Sequence, residues 1–166
     1  MCTTAIMADL GRAFGASVNC TDKPGFLFEV KTQRESLLSV LNWLKQQSFA
    51  HLSFISCVDW IATGELELVY HLWSYEHKLH ALVKIRIDRE RPWAHTVLEL
   101  WGQAQVYEQE IHEFFGTYFP GNPDLSPLFL HNWQDAPPLR KDFDATEYSM
   151  QAYTLEGLGF EKGEVD

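Results

Sequence analysis

The densest set of ionisable side chains in this 166-residue sequence falls between Tyr107 and Phe115, which holds Glu108, Glu110, His112 and Glu113. On a helix, Glu108 and His112 share one face at a spacing of four, and Glu110 and Glu113 share one at a spacing of three. Two ligands for a divalent ion can be presented this way, so one reading is a small stand-alone metalloenzyme using Glu108, His112 and Glu113. That reading lacks ligands: no further His or Cys pair stands at ligand spacing, and there is no HExxH. The other reading is a polar helix face, solvated or paired with basic residues of a partner. A second cluster, Arg140, Lys141 and Asp142, follows Pro137, Pro138 and Leu139. Two cations beside an acid can hold an anion or tie a loop down. A buried Arg140 would require a carboxylate, and the acidic helix contains several.

The remaining inventory narrows the chemistry. Cys2, Cys20 and Cys57 are scattered and form no CxxC, so neither a disulfide framework, a zinc knuckle nor a four-cysteine iron–sulfur site is indicated; a reducing cytosol suits them. Cys57 sits in a strand pattern and reads as packing. There is no G-x-S-x-G, Walker loop or G-x-G-x-x-G, and the seven histidines are dispersed. With 13 Lys plus Arg against 23 Asp plus Glu, the net charge of -10 repels nucleic acid and anionic membranes and favours a basic partner protein. No apolar run approaches the roughly 20 residues of a membrane span, and the first residues lack the pattern of a signal peptide, so membrane association is expected through partners. No catalytic, cofactor-binding or metal residue is therefore assigned.

Positioning these groups requires regular elements. Ile6, Leu10, Ala13 and Phe14 predict a helix ending near Gly15. Asn19 to Gly25 carries turn chemistry, and Phe26 to Val30 reads as a strand. Thr32 and Glu35 form a T-x-x-E capping box for a helix whose apolar stripe is Leu37, Val40, Leu41 and Leu44. From His51 the period becomes two, with Leu52, Phe54, Val58 and Trp60 on one side and Ile55 and Ile61 on the other; apolar groups on both faces predict a central strand. Leu66, Leu68, Tyr70 and Leu72 alternate with Glu65, Glu67 and His71 after a turn at Thr63–Gly64. Leu79, Ala81, Val83, Ile85 and Ile87 recur at the same period after a turn at Ser74–Lys78. Glu65 and Glu67 are placed to face Lys84 and Arg86 across that hairpin. Val97 to Trp101 reads as a further short strand, and the helical period returns from Gln103 until Gly116. The order predicts an α+β, two-layer domain over 1–116, a mostly antiparallel or mixed sheet with helices on one face.

After it comes a Pro-rich strap, 117–145, belonging to the same domain. Tyr107 to Phe143 holds five of the seven prolines and eight of the 23 aromatics, so it is irregular yet rich in rings that must be buried somewhere. Residues 146–166 read as an extended tail.

The segment YEQEIHEFFGTYFPGNPDL, followed by LFLHNW and PPLRKDF, resembles the signature of the thirty-kilodalton subunit of complex I (NADH:quinone oxidoreductase) and of its counterparts in energy-converting membrane-bound nickel-iron hydrogenases. The strand ending in Cys57, Val58, Asp59 and Trp60 resembles the family's V-D-aromatic strand end. Glu108, Glu110, Gly116, Phe119, Gly121, Pro123, Asp124 and Leu125 match the first motif. Pro138, Leu139, Arg140, Lys141, Asp142 and Phe143 match the second. Gln109, Glu113 and Asn122 depart from it, standing where Arg, Asp and His are usual, and Gln109 removes a cation from the acidic helix. The resemblance implies a non-catalytic scaffold in the peripheral, cytoplasmic arm of a membrane-associated redox complex, closer to the hydrogenase branch. It implies docking on the large catalytic or quinone-site subunit, a small iron–sulfur subunit nearby, and iron–sulfur clusters with a nickel-iron centre or quinone in those partners rather than here. Glu108, Glu110, Glu113, Phe119, Asp124, Arg140, Lys141 and Asp142 are the expected interface residues.

Overall fold

The computed structural model describes residues 3–152. Five strands, β1 Val18–Lys23, β2 Leu27–Thr32, β3 His51–Trp60, β4 Glu65–Ser74 and β5 Leu79–Asp88, form one sheet in the order β1-β2-β5-β4-β3. Neighbours are antiparallel except β2 and β5, which run parallel, so the sheet is mixed. Parallel neighbours need a long crossover, and the chain supplies one through α2 Leu37–Gln46 and the β3–β4 hairpin. α1 Thr3–Phe14, α2 and α3 Ala104–Phe115 share a single core with the inward residues of the strands. Leu66, Leu68, Tyr70 and Leu72 of β4 meet Ala81, Val83 and Ile85 of β5 there, all essentially inaccessible to solvent. Burying each of the Leu, Val and Ile side chains is worth about 1.5–3 kcal/mol, so this face is what holds the domain together. The expected α+β layers and the one-sided helices are present.

Several local expectations are corrected. Most of Asn19 to Gly25 is strand rather than turn: β1 pairs along its whole length with β2, its polar composition reflecting an exposed edge position. The Thr32–Glu35 capping box does not form. A 3₁₀ turn, Arg34–Ser36, precedes α2, while Thr32 Oγ1 donates to the Ser17 carbonyl at 2.8 Å and Glu35 accepts from Arg34. β3 is an edge strand, not a central one. Its register shifts between Leu52 and Phe54, and a bulge of this kind reverses which face the following residues occupy. Leu52, Ile55, Cys57 and Asp59 therefore point into the core, and Phe54, Val58 and Trp60 point out. Donors from a neighbouring segment block part of the free edge: Trp101 Nε1 donates to Ala50 O at 2.7 Å, Tyr107 Oη to Ser53 O at 2.8 Å, and Gln103 Nε2 to Leu52 O. Val97 to Trp101 is a turn rather than a strand, closed by Leu100 N and Trp101 N on Val97 O.

The β4–β5 hairpin has the predicted turn. Glu67 and Glu65 both pair with Arg86, at 2.7 and 3.2 Å, whereas Lys84 pairs across the sheet with Glu29 of β2 at 2.6 Å. Where an extended tail was expected, Ala145–Ala152 form a helix, α4; the rest of the tail lies outside the described residues.

Candidate functional site

α3 faces the core with Ala104, Glu108 and Ile111, at positions one and two helical turns apart, so a carboxylate occupies the middle of a buried stripe. Glu108 is fully buried. Its Oε1 accepts from Val97 N at 2.8 Å, and its Oε2 accepts from Thr96 Oγ1 at 2.7 Å and Asn122 Nδ2 at 2.8 Å. No cation among the described residues reaches it. Burial pushes the carboxyl above its usual range, and the three donors pull it partly back. Glu108 thus fastens the loop before α3 and the start of the strap to the helix.

Glu113 is turned toward the middle of the strap. Its carboxylate accepts from the amides of Leu128 at 3.2 Å, Phe129 at 3.0 Å and also Leu130, three successive donors converging on one anion. Gln109, in place of the usual Arg, is buried and reaches Ser126 only through long contacts of 3.3 and 3.4 Å. Asn122, in place of the usual His, is one of the three donors to Glu108. His112 Nδ1 lies 2.9 Å from the Thr117 carbonyl, which can only accept, so that nitrogen carries a proton. Glu108, His112 and Glu113 therefore address three different parts of the chain and do not converge. Among the described residues no group of three or more His, Cys, Asp or Glu is placed to hold a metal ion.

The second motif closes on the C-terminus of the same helix. Gly116 ends α3 at φ +75°, its amide donating to His112 O at 2.9 Å. Leu139 N donates to Phe114 O at 3.1 Å and Arg140 Nε to Phe115 O at 2.8 Å, so P-P-L-R satisfies two carbonyls that the helix leaves open and sets a cation at the negative end of its dipole. Arg140 is only half-buried, and it makes no ion pair among the described residues, the Phe115 carbonyl taking its Nε proton instead. A side chain at Gly116 would meet Pro137 Cγ at 3.0 Å and Arg140 Nη2 at 3.2 Å, in a conformation that costs an L-residue about 1–2 kcal/mol by itself. Gly116→Ala is expected to lower stability by about 2 kcal/mol in urea unfolding and to speed amide exchange in 137–141.

The buried ion pair lies elsewhere. Arg89 Nε and Nη2 donate to Asp59 Oδ1 and Oδ2 at 2.8 and 3.0 Å, and Nη2 also reaches Asp142 Oδ1 at 2.6 Å. Lys141 N completes the group by donating to Asp59 Oδ2 at 2.9 Å. Asp59 and Arg89 are 3% and 6% exposed, so they bind the end of the strap inside the domain. Neither sequence motif contains Arg89, yet its signal is present: the inward parity of β5, Ile85 then Ile87, continues to Arg89. The strap's rings are divided. Phe119 is in the core, and Trp133, Phe143 and Tyr148 form a cluster with centroids 4.5–5.8 Å apart, while Tyr118 and Phe129 are exposed. Of the other expected interface residues, Glu110 is half-buried, Asp124 is exposed and accepts from Ser126 N, and the side chain of Lys141 is exposed.

These charges predict a pH dependence. Hydrogen bonding from Arg89 holds both Asp59 and Asp142 below the usual carboxylate range, against the opposing effect of burial. Groups with lowered folded values stabilise fully above their unfolded value, about pH 4, and lose that contribution as pH falls from there through their lowered folded values. The raised Glu108 acts oppositely, its contribution being fullest below about pH 4 and lost as pH rises. Urea midpoints are expected to fall between about pH 6 and about pH 3, with a shallower fall in Arg89→Ala.

A family model described as the 30 kDa subunit of respiratory-chain NADH dehydrogenase matches residues 30–149. The chain is 35% identical over 117 residues to a subunit of the F(420)H(2) dehydrogenase of Methanosarcina mazei, covering 67% of this chain and 72% of that one. It is 34% identical over 110 residues to a subunit of the NADH-quinone oxidoreductase of Moorella thermoacetica, covering 66% and 74%. Among solved structures, a chain of the membrane-bound sulfane sulfur reductase, an archaeal respiratory membrane complex, superposes with a TM-score of 0.83 at 30% identity, over 90% of both chains. The trypsin-resistant fragment of Nqo5 gives 0.63 at 26% identity, over 74% of this chain and 98% of that one.

Proposed function

The chain belongs to the family of the respiratory-chain NADH dehydrogenase 30 kDa subunit, and on that footing we propose that it is a non-catalytic scaffold subunit in the peripheral, cytoplasmic arm of a complex I-like, membrane-associated redox complex. It docks on the large catalytic subunit of that complex and holds no cofactor; iron–sulfur clusters and a quinone or nickel-iron site belong to its partners. The observation that carries this reading is the use made of the acidic helix. Glu108 and Glu113 are consumed in binding loop and strap to α3, so the set that looks most like chemistry in the sequence is architecture. That leaves the exposed Asp124 and Lys141 and the half-buried Glu110 to meet a partner. The relatives are subunits of respiratory complexes, which supports hetero-oligomeric assembly. No helix among the described residues is long and apolar enough to cross a membrane, which agrees with attachment through partners.

Affinity recovery of the tagged chain from gently solubilised membranes tests the proposal. Co-recovery of a large oxidoreductase subunit in constant ratio is expected. Recovery of the chain alone would overturn it. The stand-alone metalloenzyme is disfavoured by the divergence of Glu108, His112 and Glu113, and a stoichiometric metal in the isolated chain that is lost in His112→Ala would revive it.

A further inference from the structure

The strap begins as the second strand of a two-stranded parallel ladder. Tyr118 N donates to Pro92 O at 2.9 Å, Ala94 N to Tyr118 O at 3.1 Å and Thr96 N to Pro120 O at 3.1 Å. Side chains of such a ladder alternate between its faces. Pro92, Ala94 and Phe119 are buried on the inner side, which leaves Arg91, Trp93, His95, Tyr118 and Pro120 on the outer one. Together with an edge of Pro92 they line an apolar hollow of about 540 Å³ that includes no carboxylate.

Three features make this outer face unlike ordinary surface. Tyr118 is 57% exposed although it sits in a rigid, hydrogen-bonded element. The Trp93 ring is held in place, with the Arg34 guanidinium carbon 3.8 Å from its centroid and His95 edge-on at 5.3 Å. A fixed aromatic wall loses little freedom when something binds to it. Finally, Arg91 makes no ion pair among the described residues, in a chain whose net charge is -10. An apolar shelf with an unpaired cation at its rim complements an apolar segment with an acid beside it, and disfavours a basic one.

We propose that this shelf receives an extended apolar segment of a partner subunit, with a carboxylate of that segment on Arg91. The proposal rests on the subunit reading above and specifies one of its contacts. The outer set spans five residues of chain, roughly 13 Å at about 3.3 Å per residue, which suits four or five residues of an extended peptide. Proline and aromatic residues at the surface offer flat walls to such a backbone.

The test uses the full tagged chain in its native membranes, with p-benzoylphenylalanine replacing Tyr118. Irradiation and mass spectrometry of the recovered complex are expected to give a cross-link to one other subunit, within a short apolar stretch containing Asp or Glu. Arg91→Glu is expected to lower co-recovery of that subunit at least about tenfold, with an unchanged melting temperature, and reversing the mapped acid to lysine is expected to restore it. If the complex is recovered but Tyr118 cross-links only to lipid, to a second copy of this chain or to nothing, the shelf assignment is overturned and the subunit reading stands. Wild-type co-recovery by Arg91→Glu has the same meaning. Recovery of the unsubstituted chain without any partner overturns both.

Discussion

Arg89→Ala is expected to destabilise the protein by roughly 3–5 kcal/mol, the usual cost of removing one partner from a buried ion pair. The magnitude follows from what remains. Asp59, 3% exposed, would keep only the Lys141 amide as a donor, and Asp142 would lose its hold on the domain. The attraction is large because the guanidinium meets Asp59 through two parallel hydrogen bonds, at 2.8 and 3.0 Å. A single urea titration measures the loss. The double variant Arg89→Met, Asp59→Leu is expected to recover most of it, since the cost comes from an uncompensated charge rather than from lost packing. A loss below about 1 kcal/mol for Arg89→Ala would place the pair in the weak, solvent-screened class and remove the anchor at the strap's end.

Glu108→Ala is the second large effect, about 3 kcal/mol. It strands three donors, the Thr96 hydroxyl, the Val97 amide and the Asn122 side-chain amide, each worth about 1–3 kcal/mol when buried without a partner. Rotation of the hydroxyl and entry of water recover part of that sum. Glu108→Gln keeps the shape and one acceptor while removing a buried charge that no cation offsets, so it is expected to cost less than half as much. It also abolishes the Glu108 contribution that wild type loses as pH rises. Urea unfolding of the three proteins at about pH 5 and about pH 8 checks both points. An equal cost for Ala and Gln would mean that the charge, not the hydrogen bonds, organises the site.

What the sequence makes legible divides along physical lines. β5 is legible because it buries one face only, so alternation is unbroken from Leu79 to Ile87, and β4 is legible from Leu66, Leu68, Tyr70 and Leu72 although Glu67 and Val69 of its other face are buried too. Gly116 is legible because a left-handed residue after an apolar helix has few substitutes. β3 misleads because its bulge at Leu52/Phe54 shifts the phase, and because outward Phe54, Val58 and Trp60 imitate a second buried face. The capping box fails for a tertiary reason: the Thr32 hydroxyl is taken by Ser17 O, fifteen residues earlier. In the site, both motifs are visible in the sequence but their pairing is not. Arg140 suggests a carboxylate and finds Phe115 O, whereas the buried guanidinium belongs to Arg89, outside either motif. Local spacing tells which residues share a face; it does not tell which of two cations a strap will bury.

The acidic helix and the strap are held together within this chain, and the proposed scaffold role makes them an assembly surface with no part in the redox chemistry. Arg140→Ala tests this most directly, because Arg140 joins the second motif to the end of α3 through the Phe115 carbonyl, a structural rather than a reactive partner. The measurement is the amount of intact complex in membranes from variant and wild-type cells, together with turnover per assembled complex. Assembly is expected to fall while turnover per complex stays at the wild-type value. Normal assembly with lost turnover would contradict the account.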